Sequence, residues 1–150
     1  KLTQINITVQ AADALTYKKI TLTISGLNNK GTYGFDDSTW KSQEGTATYA
    51  HTIDGGALEV NTTGVEVNTA WMLMPQTLDT NAKINVVYDI YEKDVLLDTV
   101  TSAIDLDGTQ AWGEGKKIRY TLTLANKAAK VTFVPEVGPW STADDTNVEK

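Results

Sequence analysis

Apolar and polar residues alternate with a period of two along most of this chain. In Leu2–Gln10, Ile5, Ile7 and Val9 share one side while Gln4, Asn6, Thr8 and Gln10 share the other, as a strand with one buried face requires. Lys18–Gly26 repeats the pattern with Ile20, Leu22 and Ile24 against Thr21 and Thr23. Ala82–Tyr91 sets Ile84, Val86, Tyr88 and Ile90 against Asn85, Val87, Asp89 and Tyr91. That second set is not wholly polar, which predicts a strand covered on both sides or placed in mid-sheet. Lys117–Asn126 sets Ile118, Tyr120, Leu122 and Leu124 against Arg119, Thr121 and Thr123; Lys130–Val137 follows with Val131 and Phe133 inward and Pro135 ending the run.

Turn signals separate these runs: SGLNNKG, DGG, TTG, EKD, DLDG and WGEGK. Glu92–Asp94 is short enough to join two strands as a hairpin, and Leu124–Lys130 links another two. No segment sustains a 3.6-residue period over the length of a helix. The prediction is an all-β, antiparallel β-sandwich of about eight to ten short strands in a single domain, 1–150. After Trp140 the pattern is lost, so 141–150 is expected to be a mobile tail.

At 150 residues the chain can bury a core without covalent staples, and it has no cysteine. Disulfides, thiolate metal sites and a cysteine nucleophile are therefore excluded. The formal charge of −6 lacks the basic face that a nucleic-acid partner needs. No apolar run reaches the roughly 20 residues that span a bilayer as a helix. The chain opens on a strand rather than a targeting signal, which is the expectation for a processed or trimmed chain.

Candidate chemistry is sparse. His51 is the single histidine, shares a strand face with Tyr49, and has no nucleophile motif to serve. Asp105–Gly108 looks like part of a calcium loop, but the twelfth position is Lys116 where a bidentate Glu is required. Nothing singles out two carboxylates for glycoside hydrolysis. No cofactor or metal is expected, and no catalytic residue is assigned. Asparagine sequons begin at Asn6 and Asn61. Of the four tryptophans, Trp71, Trp112 and Trp140 fit packing roles, whereas Trp40 stays open as a ring for stacking on a sugar.

The run from Trp112 to Trp140 resembles the C-terminal end of the fimbrillin-like (Mfa-like) proteins of the Bacteroidetes. That family places a Trp before a Gly-containing turn, a Y-T-x-x-L strand, an aromatic-containing strand and a closing V-x-x-W. Trp112, Gly115, Tyr120, Thr121, Leu124, Val131, Phe133, Val137 and Trp140 stand at those positions. Pro75 and Gln76 match its hydrophobic-P-Q strand, and Gly26–Trp40 is similar to its G-x-x-x-x-G-x-Y segment. Ile118 stands where an aromatic residue is common, and Glu114 where Pro is frequent. The resemblance implies a transthyretin-like, fimbrillin-type sandwich, the C-terminal one of two domains. It implies a cell-surface pilin or pilus-associated subunit whose precursor carries a lipid anchor in the outer membrane. Partners would be other pilin subunits, joined by a donated strand, and a host or bacterial receptor or glycan. The alternative is a carbohydrate-binding surface module using exposed Trp and Tyr rings. Trp112 and Trp140 are expected to plug the two ends of the sandwich.

Overall fold

The structure, a computed structural model, describes residues 1–52, 65–66, 70–106, 111–126 and 132–139. Among these described residues eleven strands follow in chain order: β1 (Thr3–Ala11), β2 (Thr16–Leu27), β3 (Lys30–Gly34), β4 (Thr39–Glu44), β5 (Ala47–Thr52), β6 (Val65–Glu66), β7 (Trp71–Leu73), β8 (Lys83–Glu92), β9 (Val95–Asp105), β10 (Lys116–Leu124) and β11 (Thr132–Pro139). One sheet runs β11-β10-β1, with β6 and β7 sharing the far edge of β1; the second runs β5-β2-β8-β9. β3 and β4 form a separate two-stranded ribbon.

The alternation read from the sequence is the alternation of the core. Ile5, Ile7 and Val9 meet Ile118, Tyr120, Leu122 and Leu124 within one sheet, and Ile20, Leu22, Ile24, Ile84, Val86 and Tyr88 line the other; all are at most 1% exposed. Each such side chain contributes roughly 1.5–3 kcal/mol by leaving water. Tyr17 and Tyr88 pack edge to face with centroids 5.5 Å apart. Each buried hydroxyl has a partner: Tyr17 donates to Asp13 Oδ1 at 2.8 Å and Tyr88 to the Ala125 carbonyl at 2.7 Å. Burial raises the pKa of both phenols, so both stay neutral hydrogen-bond donors.

Three expectations change on inspection. The first sheet is mixed, because β1 pairs β10 in parallel, Gln4 opposite Lys117 through Ala11 opposite Leu124. These strands lie more than a hundred residues apart, so no hairpin dictates their direction. Pro135 does not end its run: β11 continues to Pro139, with Pro135 opposite Tyr120. An edge strand tolerates a residue without an N–H, and β11 is the edge. Asn6, on the polar side of β1, is 2% exposed and accepts a 2.8 Å bond from Gln4 Nε2, so that side of β1 is not open to solvent there. β8 is interior, between β2 and β9, with Val87 on its outer face partly exposed, which fits the mid-sheet reading.

The Glu92–Asp94 turn is a tight hairpin. Glu92 pairs with Val95, and Lys93 and Asp94 take φ of 48° and 65°, the left-handed pair that matches the twist of the flanking strands.

Candidate interaction surfaces

Among the described residues, no three His, Cys, Asp or Glu side chains are grouped to hold a metal. His51 lies half-buried in β5 beside Tyr49 on the same face. Asp105 forms an ion pair with Lys83; the rest of its loop, 107–110, lies outside the described residues. Three regions of the described structure stand out.

The first is the closed end around Trp112. This indole is 1% exposed, and its Nε1 donates to the Tyr120 hydroxyl at 2.8 Å. Its backbone pairs in both directions with Gln76, at 2.8 and 3.0 Å. Gln76 is itself buried and uses its whole amide: Oε1 accepts from Asn28 N–H at 2.8 Å, while Nε2 donates to the carbonyls of Asn28 and Met74 at 3.2 and 3.1 Å. Its side chain thus acts as one residue of an extra strand, tying the β2–β3 connection to the isolated bridge that Gln76 forms with Trp112. Gly115 turns at φ 63° and its N–H donates to the Leu2 carbonyl at 3.0 Å. Trp112 and Tyr120 are therefore joined side chain to side chain, and Gly115 turns the chain between them. The backbone of Phe133 pairs with Leu122, and Trp140, like the tail 141–150, lies outside the described residues.

The second region is the β3–β4 ribbon. Tyr33 stands between Phe35 and Trp40, with centroids 5.3 and 5.4 Å away and ring planes crossed at 87° and 60°. Phe35 is 87% exposed at the tip, whereas Trp40 is half-buried, its Nε1 aimed at the Lys1 carbonyl 3.4 Å away. The Lys41 ammonium beside Asp37 holds that carboxyl below its usual range. A shallow cleft of about 520 Å³ lies at the foot of the ribbon, lined by Asn28, Trp40, Gln43, Thr77 and Glu114. Trp71 is half-buried against Tyr49, 6.4 Å between centroids.

The third region is the edge strand β9. Val95, Leu96 and Leu97 are 61%, 50% and 52% exposed. The register with β8 shifts between Ile90, opposite Asp98, and Tyr91, opposite Leu96, so Leu97 is an extra residue in a bulge. Sequence reasoning passed over this edge, although three apolar residues in a row after a turn break the alternation and were its signal.

With this geometry in place the chain can be set beside known proteins. The fimbrillin-like family model matches residues 1–140, and the chain belongs to that family. A crystallised fimbrial protein from Bacteroides vulgatus ATCC 8482 has the same fold, with 22% identity and a TM-score of 0.66 over 93% of this chain and 54% of its own. A candidate cell adhesion protein from Bacteroides ovatus ATCC 8483 aligns at 18% identity and a TM-score of 0.50 over 94% of this chain and 46% of its own. The chain therefore spans about half the length of the solved structures it matches. None of the curated proteins matches it.

Proposed function

We propose that this chain is a structural or adhesive part of bacterial cell-surface fimbriae, a pilin or pilus-associated subunit without catalysis, and that it corresponds to the C-terminal domain of a two-domain protein. The observation that carries this reading is membership of the fimbrillin-like family over 140 residues. The half-length match to a fimbrial protein agrees with it. Assembly proceeds by β-strand addition: backbone hydrogen bonds supply the affinity and alternating side chains fix the register. The subunit sits outside the cell, its precursor attached to the outer membrane by a lipid. No helix among the described residues is long and apolar enough to cross a membrane.

A sugar-binding module needs at least two Trp or Tyr rings exposed on one flat face. Among the described residues the ribbon's aromatic cluster is Tyr33, Phe35 and Trp40, of which Phe35 alone is fully exposed, and its planes cross steeply, which favours a knob for a protein partner over a platform for a pyranose. Trp40 is the ring proposed for any stacking role. The test is to shear the surface filaments from cells producing a tagged chain and probe them with antibody. Label along or at the tip of filaments supports the reading; label confined to the cell body, with filaments unchanged on deletion of the gene, contradicts it.

A further inference from the structure

We propose that β9 is a self-association edge, through which two copies of this chain join antiparallel and extend their four-stranded β5-β2-β8-β9 sheets into one of eight strands. Among the described residues β9 pairs with β8 alone, leaving one side of an 11-residue strand open. Exposed edges are normally blunted by Pro, Lys or shortness. Other edge strands follow that practice: β11 carries Pro135, Gly138 and Pro139, and β7 has three residues. β9 contains no Pro, Gly or Lys. Its single irregularity, the bulge at Leu97, sets exposed Leu96 and Leu97 side by side, with Leu96 opposite Tyr91.

A second copy fits this edge because β9 complements itself. With the two-fold axis at Val100, Leu97 lies opposite the partner's Ala103, Asp98 opposite the partner's Ser102, and Thr99 opposite the partner's Thr101. Apolar then meets apolar, hydroxyl meets hydroxyl, and no carboxylate faces another. Moving the axis to Thr99 or Thr101 sets Leu97 against Thr or Asp, and moving it to Asp98 opposes two carboxylates. The same residue on each copy thus serves both sides of a closed dimer, a contact distinct from donation of a terminal strand.

Sedimentation equilibrium of the full chain across the micromolar range tests this. The wild type should show a reversible monomer–dimer equilibrium. Leu97→Lys should weaken it about tenfold or more, because the two-fold axis repeats the lost cross-strand pair and the introduced charge guards the edge. Adding Ala103→Glu to Leu97→Lys should restore the dimer, since each new lysine then faces a new glutamate across the axis. Positions 97 and 103 are exposed, and circular dichroism verifies that the variants keep the fold. A wild type that stays monomeric, a dimer indifferent to Leu97→Lys, or a double variant no tighter than the single one each overturns the proposal.

Discussion

Replacing Gln76 with methionine isolates the work of one side-chain amide. Methionine keeps nearly the same length and volume, so what disappears is the set of three hydrogen bonds to Asn28 N–H, Asn28 O and Met74 O. A neutral hydrogen bond contributes about 0.5–1.5 kcal/mol net, and a buried group left unmatched costs about 1–3 kcal/mol. Asn28 and Met74 are half-buried, so water replaces part of the loss. Together these give a destabilisation of about 2–4 kcal/mol, or a Tm lowered by roughly 5–12 °C for a domain of this size. Thermal and urea unfolding followed by circular dichroism measure it. Because Gln76 also pairs by backbone with Trp112, the variant should shift tryptophan emission to the red before the main transition. Gln76→Glu keeps the Asn28 N–H bond but turns a carboxylate toward two carbonyls, and should lose more than Gln76→Met. A Gln76→Met protein melting within about 2 °C of wild type would refute the extra-strand role.

Other outcomes follow from single sites. Gly26 has φ 74°, and a Cβ there would stand 2.1 Å from the Asn81 carbonyl oxygen; Gly26→Ala should cost about 3–5 kcal/mol, read from the urea midpoint. Lys93→Asn with Asp94→Gly supplies the residues that a doubly left-handed turn prefers and should raise stability by about 1 kcal/mol. The ion pair it removes, Lys18 with a 96% exposed Asp94, contributes little. Asp89 is held below the usual carboxylate range by the Thr99 hydroxyl at 2.6 Å and by Lys19 at 3.3 Å. A depressed folded pKa means stability present above the unfolded value of about 4 and lost as pH falls through the folded one. The gap between wild type and Asp89→Asn should therefore be widest near pH 7 and shrink on acidification, as urea midpoints at several pH values will show.

Much of the fold was legible because its core obeys one rule. Ile5, Ile7, Val9, Ile84, Val86, Tyr88, Ile118 and Leu122 occupy alternating positions, and all are buried. The Glu92–Asp94 hairpin was readable because its strands are adjacent in the chain. What escaped is set by partners distant in sequence. Alternation carries no direction, so the parallel β1–β10 pairing was hidden. Pro135 signals a stop only in a strand with neighbours on both sides, and edge position is a tertiary property. Pro75 and Gln76 were visible as part of a resemblance, but the role of the Gln76 amide needed the Asn28 backbone beside it. Trp112 stood out as a packing residue, but the hydrogen bond from its indole to the Tyr120 hydroxyl needed the fold to bring the two together.

The reading proposed above is that a fimbrial subunit containing this domain assembles by exchanging strands. Limited trypsin treatment of the full-length precursor, followed by electrophoresis without boiling, tests it most directly. A ladder of regularly spaced, detergent-resistant polymers that appears only after cleavage and collapses on heating is the predicted result. A cleaved protein that remains monomeric at every concentration would contradict assembly by strand addition.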